Sequence, residues 1–497
     1  MGALSSTAEP AAAIGTDLYQ LVLMNSVGTR VLLQRKNRAR GLPEICIPRF
    51  TRPAEQITSW LRTSCDMKAV LLWSGWIDRE QDGQRFAVLE ALDNAKHLIP
   101  GWEWFGTEQA RAHIAAPQAR LIEKSQARAL KLCLGTDPEP FSRLGWLHRL
   151  RDWIIGVLQP LGTQLGDFSH FNGSASFSLI RFETDSKPLW FKAVGAPNLH
   201  EFPITLLLSR LFPAYLPRIL ASDPLLNGWL MESGGELTLF DCQDLDAWTN
   251  ACRCLAELQI ASLGRTAECL QVGCRDLRLD RLASLIASFF DTMAELMSRQ
   301  TKHSPAALTS SELSENEMTI ASNNQSLAND LQEALGQMAE LSYPDALGHA
   351  DFNPGNVLVD GERTVFTDWA EAYVGCPFLT CEYFLAHLGN SCPSLLEHEG
   401  RLRDAYLQRW IGLISERKLR LALNLSPLIA PYVYAISSNA WADPKRLADS
   451  RIQGSLRSLT RRMKREADSL HHRRKCETTL LTATPPELGG SHAISCP

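Results

Sequence analysis

The sequence predicts an α+β chain of several compact units, and three observations carry that expectation. At 497 residues the chain exceeds one typical domain, and ~150 residues per domain suggests about three units. Short runs of alternating apolar residues fill the first half, whereas helix-period patterns dominate from about residue 236. Hydrophobic residues make up 45% and charged residues 21%, with 13 Trp, which excludes a disordered or fibrous chain. The net charge of −5 gives no global case for a nucleic-acid binder, so no nucleic-acid partner is expected.

The first region, 1–138, reads as an α/β domain. Alternating apolar runs occur at Arg30–Gln34, Ala69–Trp73 and Phe86–Leu92, with an amphipathic stretch at Pro53–Ser64. Met1–Thr16 has no basic segment before an apolar core, so no secretory signal is read, and no run suggests a membrane span. A cytoplasmic protein is expected. Met1, Gly2 and Ser6 fit the loose myristoylation pattern, as many chance N-termini do. Next comes a linking helix within 139–165, with Leu144, Leu147, Leu150, Ile154 and Leu158 near one face and Pro160 at its end. A β-rich region, 166–235, precedes a helical region, 236–440. Within the latter, His303 to Gly348 holds seven acids and no Lys or Arg, and 303–327 reads as a mobile polar insertion. The final region, 441–497, is expected to be a basic helix followed by a disordered tail. Lys445–Lys475 carries eleven Lys or Arg against three acids, but Leu456, Leu459 and Met463 mark it as a surface helix with one apolar face. The 13 Cys include a loose group at Cys252, Cys254, Cys269 and Cys274 whose spacing fits no zinc module, so reduced thiols are expected.

The segment with chemical content is Leu347-Gly-His-Ala-Asp-Phe-Asn-Pro-Gly-Asn-Val-Leu-Val-Asp-Gly, followed by Thr364-Val-Phe-Thr-Asp-Trp. Val357–Val359 and Thr364–Thr367 are β-prone runs joined by Asp360-Gly361, a hairpin turn signal. Asp351 and Asn356 enter that hairpin and Asp368 leaves it, so the three converge although seventeen residues separate the first from the last. Two carboxylates and an amide oxygen at one end of a hairpin suit a hard divalent cation. Phosphoryl transfer from ATP needs such a cation and a carboxylate to accept the proton of the attacking hydroxyl. Asp351 suits the base; Asn356 and Asp368 suit magnesium.

His349-x-Asp351-x-x-x-x-Asn356 followed by Asp368-Trp369 resembles the catalytic loop and metal motif of the aminoglycoside phosphotransferase and choline kinase family. Ala350 and Asn353 stand where Gly and His are common. The resemblance implies a bilobal protein-kinase-like fold over about 165–440, with Asp351 as base and Asn356 and Asp368 as metal ligands. It also implies an N-lobe that holds ATP. Phe171-Asn-Gly-Ser-Ala-Ser offers the backbone amides of Gly173, Ser174 and Ala175 to phosphates. Lys192, inside an apolar strand, looks like the phosphate-binding lysine, with Glu201 as its partner. Trp229-Leu-Met-Glu232-Ser233-Gly-Gly falls where an inter-lobe hinge would present Glu232 and Ser233 to adenine.

The first region weakly resembles a Nudix fold. Its helix offers only Glu55 and Asp66, too few for a metal cage, so a recognition or docking role is expected. The expected function is ATP- and magnesium-dependent transfer of the γ-phosphate to a hydroxyl of a small molecule (aminoglycoside-like, amino alcohol or sugar), with a mild preference for a cationic acceptor drawn from the acidic 303–348 stretch and a neutral sugar, sugar acid or amino alcohol as the runner-up acceptor. The alternative is a pseudokinase that binds nucleotide without turnover.

Overall fold

A computed structural model describes residues 15–482 apart from 37–38, 50, 78–83, 94–97, 133–136, 303–309 and 362. The myristoylation pattern, the start of the polar insertion and the tail beyond residue 482 lie outside the described residues. The chain divides into two compact units after Gly234.

The first unit opens with a seven-stranded mixed sheet. Its main path runs Ala39–Gly41, Arg30–Lys36, Thr16–Asn25, Arg85–Ala91, Ala69–Trp76, with Glu44–Pro48 also on Thr16–Asn25 and Trp102–Gly106 also on Arg30–Lys36. Thr16–Asn25 is the centre of this sheet, yet it showed no alternation in the sequence. It is buried on both faces at Leu21–Met24, so its apolar residues run continuously. Helix Pro53–Cys65 begins with Pro, which loses no hydrogen bond in a first turn, and buries Ala54, Ile57, Leu61 and Cys65 at helical spacing. Glu55 sits in its first turn and Asp66 caps its far end in the left-handed conformation, roughly 16 Å of helix apart.

The linking helix is Trp146–Leu158, and it does not act as a spacer. Trp146, Leu147, Leu150, Ile154 and Leu158 share one core with Val22, Val88 and Val70 on one side and Phe168, Ile180, Phe182 and Phe191 on the other. This continuity is why the N-terminal sheet and the following β region form one unit instead of two. Polar ties reinforce it. Arg62 pairs with Asp167 at 3.0 Å and donates to the Phe168 carbonyl, while the buried Glu90 carboxylate accepts from Gly145 N at the helix start. Leu71 N donates to His170 Nδ1, and burial holds the His170 ring near a pKa of about 4, which keeps that nitrogen an acceptor.

The β region is a five-stranded antiparallel sheet in the order Ile219–Asp223, Gly228–Glu232, Leu189–Ala193, Ser178–Thr184, Leu165–Gly173, with a single helix, Glu201–Leu211. A five-stranded sheet with one helix, ahead of a helical unit, is the arrangement of the α+β kinase-like fold expected from the sequence.

The second unit is built on helices Leu245–Ala261, Leu279–Lys302, Ser310–Glu340, Glu416–Ser437 and Ser450–Thr482, with two three-stranded sheets. The stretch expected to be a mobile insertion is instead helical from Ser310 onward. Leu327, Ala328, Leu331, Ala334, Leu335 and Met338 are buried at helical spacing and anchor it. The basic helix continues to Thr482, past the expected start of the tail near residue 477. It buries Leu456, Thr460, Met463, Ala467 and Leu470; Leu459 is half-buried. The acidic and basic stretches answer each other. His471 meets Asp330 at 3.1 Å, and Arg474 reaches Glu333 at 2.9 Å and Gln337 at 2.7 Å. These exposed pairs add little stability, and the buried apolar stripe carries the packing. Helix Glu416–Ser437 is long and apolar enough to cross a membrane by composition, but 72% of its most apolar window is buried within the protein.

The shared core predicts that Leu150→Ala, at a fully buried position, costs about 2–5 kcal/mol. Amide exchange should accelerate together in the N-terminal sheet and the five-stranded sheet. Acceleration confined to one sheet would show two separate cores.

Candidate functional site

In the second unit, strand Ala346–His349 lies in a small sheet against Ala372–Gly375, with Arg275–Leu277 on its far side. Gly348 is required there, because a Cβ would collide with the Tyr373 ring. The strand delivers the chain to Asp351. The predicted hairpin forms as Val357–Asp360 and Arg363–Phe366, with Val357 opposite Phe366 and Asp360 opposite Arg363, and Gly361 takes a φ of +57° in the turn. Leu237–Thr238 adds a third strand, and Gly235 allows close passage beside the Val359 backbone.

Two clamps close the loop onto the hairpin. Asn356 Nδ2 donates to the Asp351 carbonyl at 2.9 Å, and Thr367 N donates to the Asn356 carbonyl at 3.0 Å. The buried His349 ring meets the Thr367 carbonyl at 3.1 Å and packs against Phe352 and Trp369. The loop entry and the hairpin exit are thus joined at two points. Asp368 follows at φ +64°, ψ +57°, a left-handed conformation that Asp tolerates better than most residues. Its charge is close enough to act on Asp351. The three oxygen-bearing residues predicted to converge therefore do so.

Asn353 sets the loop shape. Its Oδ1 accepts from Gly355 N at 2.9 Å and its Nδ2 donates to Asp351 Oδ1 at 3.2 Å. The Asp351 carboxyl is pushed up to about 6, first by burial and then by the Asp368 charge, while hydrogen bonds from Asn353 and Tyr383 pull the other way. Glu371, beside them, is ion-paired with Arg275 at 2.8 Å. Tyr383, Tyr434 and the Arg275–Glu371 pair were not found from sequence. They lie far apart along the chain and carry no local pattern.

Asn356 Nδ2 is spent on the Asp351 carbonyl, so Oδ1 is the end of the amide left to face a cation. Together with the exposed Asp368 carboxylate it provides two hard oxygen donors, which suits magnesium, an ion that takes few protein ligands and completes its shell with phosphates and water. Among the described residues no group of three His, Cys, Asp or Glu could hold a metal by itself. The described cysteines are free; Cys269 and Cys274 hydrogen-bond through their thiols.

In the first unit, Lys192 lies on Leu189–Ala193, the middle strand of the five, so it is not an edge lysine reaching solvent. Its Nζ pairs with Glu201 Oε1 at 2.5 Å and stands 5.8 Å from the Trp229 ring. Glu201 is the first residue of its helix, which begins three residues later than expected, and is 2% exposed.

The turn after Leu165–Gly173 corrects one expectation. Gly173 N is bonded to Asn172 Oδ1 and Ser174 N to the Phe177 carbonyl, so neither offers an amide to phosphate in this conformation. Ala175 is buried, and its carbonyl accepts from Phe141 N. Gly173 is glycine because a Cβ would strike the His170 ring. At the end of strand Gly228–Glu232, Glu232 N donates to the Arg218 carbonyl and its carboxylate pairs with Arg218. The two units part just beyond Ser233.

Residues 204–379 match the sequence profile of the phosphotransferase enzyme family. The resemblance drawn from the motif therefore holds for this segment, which contains Asp351, Asn356 and Asp368. No curated protein matches the chain. Among solved structures, a choline/ethanolamine kinase family protein from Mesorhizobium loti aligns at 13% identity and a TM-score of 0.41, covering 65% of this chain and 98% of that one. A choline kinase from Streptococcus pneumoniae aligns at 12% identity and 0.41, covering 65% and 99%. A protein from Thermobifida fusca described as a putative fructosamine-3-kinase aligns at 19% identity and 0.35, covering 62% and 97%.

Removing one partner of the Lys192–Glu201 pair leaves a buried charge alone, which typically costs 3–5 kcal/mol. Lys192→Ala should lower the denaturant midpoint far more than the double variant Lys192→Met/Glu201→Leu. Equal losses in the two would show that the pair is not electrostatically buried.

Proposed function

We propose that the protein is an ATP- and magnesium-dependent phosphotransferase that moves the γ-phosphate to a hydroxyl of a small molecule. The observation that carries this reading is the half-buried Asp351 carboxyl, raised to about 6 and fixed beside Asn356 and Asp368 within the family-matched segment. Asp351 is the base. It orients the acceptor hydroxyl and takes its proton as the oxygen bonds to phosphorus and the bond to ADP breaks. A pKa near 6 leaves it deprotonated at neutral pH yet basic enough to share that proton. Asn356 Oδ1 and Asp368 would hold magnesium, which when bound neutralises charge on the phosphate oxygens. Lys192, kept oriented by Glu201, binds phosphate, and the Glu232 carbonyl and the backbone at Ser233 take the adenine, the Glu232 N–H being engaged by Arg218. The rival reading is nucleotide binding without turnover, and only transfer of phosphate to an acceptor separates the two.

Asp351→Asn should bind ATP with unchanged affinity by calorimetry and lose turnover by a factor on the order of 10²–10⁴. Near-normal turnover would remove Asp351 from the chemistry. Asp368→Asn should weaken magnesium-dependent ATP binding as well as turnover, because a charged ligand becomes neutral.

The raised pKa gives a pH signature. The base works only when ionised, so kcat/KM should rise as pH increases through about 6 and level off above it. Tyr383→Phe removes a hydrogen bond that favours the ionised form, so the acid limb should move to higher pH. A limb unmoved by this change would place Tyr383 away from Asp351.

A further inference from the structure

The first unit contains a cavity of about 700 Å³. Three segments line it. Strand Arg85–Ala91 contributes Glu90, the first turns of helix Trp146–Leu158 contribute Leu147 and Arg151, and strand Leu165–Gly173 contributes Asp167 and Phe168. Lys68 and Leu92 lie at adjoining strand ends, where Leu92 N donates to the Lys68 carbonyl at 2.9 Å, and both also line the cavity. All of these residues precede the family-matched segment 204–379, and the phosphotransferase reading uses none of them.

Glu90 is 1% exposed and shares a strand face with Val88, toward the core packed on the linking helix. Three carboxylates are buried among the described residues. Glu201 is paired with Lys192 and Glu382 with Arg403, whereas Glu90 has no ion-pair partner among those residues. Its Oε2 accepts from Gly145 N at 2.8 Å, no second hydrogen bond from a described residue reaches the carboxyl, and Oε1 is left to the cavity. The Arg149 charge acts on it without forming an ion pair, and burial pushes the carboxyl up to about 7. Arg151, half-buried on the same cavity, makes no ion pair or hydrogen bond among the described residues. Lys68 is instead spent on Asp167 at 3.2 Å, which Arg62 also holds, and His148 lines the cavity but is exposed. Six residues, ~9 Å of helix, separate Gly145 from Arg151, so the unmatched carboxyl and guanidinium belong to different parts of one cavity. Leu92, Leu147, Leu165 and Phe168 supply apolar lining.

We propose that this cavity binds a free amino acid with an apolar side chain, Glu90 receiving its ammonium group, Arg151 its carboxylate, and the leucines and Phe168 its side chain. A ligand of one charge would answer only one of the two unmatched groups. An amine would leave Arg151 without an anion, and a carboxylic acid would leave the buried Glu90 without a cation. Because Oε1 needs a hydrogen-bond donor, a primary ammonium fits where a quaternary one does not. A guanidinium in turn recognises a carboxylate by two parallel hydrogen bonds. The volume accommodates even an indole side chain. This is binding without chemistry, and it stands whether or not the chain transfers phosphate.

Calorimetric titration of leucine, phenylalanine and tryptophan into the full chain tests this. At least one should bind, and the N-acetyl and amide derivatives of the tightest should each bind about tenfold more weakly or worse, because each lacks one charge. Glu90→Gln keeps an acceptor for Gly145 N, so the helix start stays tied. It should weaken the amino acid about tenfold or more and leave the N-acetyl derivative, which has no ammonium, unchanged. Arg151→Gln, at a half-buried helix position, should weaken the amino acid similarly and leave the amide, which has no carboxylate, unchanged. The proposal is overturned if none of the three amino acids binds, if either derivative binds as tightly as its parent, or if either variant binds the amino acid as the wild type does.

Discussion

The hydrogen bond from Asn356 Nδ2 to the Asp351 carbonyl is the constraint on which the site depends. It fixes which end of the amide is spent and which is free, and it ties the loop that presents Asp351 to the hairpin that presents Asp368. The Thr367 N–H to the Asn356 carbonyl and the His349 contact to the Thr367 carbonyl complete the closure. With these in place, a left-handed Asp368 is held by the surrounding structure, a conformation that isolated chain would rarely adopt. Burial of Asp351 and, after it, the charge of Asp368 then raise the Asp351 pKa. One local hydrogen-bond pattern therefore leads to the electrostatics of the base.

A second constraint acts in the first unit. A lysine in the middle strand of a sheet survives only because Glu201 meets it at the start of the adjoining helix. That helix and strand belong to a unit whose core runs without a break from Val22 to Phe191 through Trp146–Leu158. The N-terminal sheet therefore braces the strand that carries Lys192. Its contribution is in the first place structural: Arg62, Lys68 and Glu90 all reach across to segments that belong to or precede the five-stranded sheet.

Much of the site was legible because its parts are local. Asp360-Gly361 announced the hairpin, and the spacing from Asp351 to Asn356 and Asp368 followed from it. Lys192 was legible because a charge in an apolar run is conspicuous, and the strand order then showed that it is central. What was hidden depends on tertiary structure. Thr16–Asn25 escaped because a strand buried on both faces does not alternate. The acidic and basic stretches, read separately as a mobile insertion and a surface helix, proved to be partners 141 residues apart. Tyr383 and Tyr434 stack on each other from two different helices, and no window of sequence contains both. The amides of Gly173 and Ser174 were misjudged for a related reason: Gly173 answers to His170, whose ring meets Trp146 of the linking helix edge-on.

The account holds that the Asp351 loop performs transfer, and the most direct test follows the phosphoryl group itself. ATP bearing heavy oxygen in its γ-phosphate is incubated with the protein, magnesium and a panel of small-molecule hydroxyl acceptors, and the products are weighed by mass spectrometry. The account predicts labelled phosphate bonded to the acceptor with magnesium present, and none when magnesium is chelated or when Asp351 is replaced by Asn. Label recovered only as free phosphate, at a rate indifferent to the acceptor and to Asp351, would contradict it.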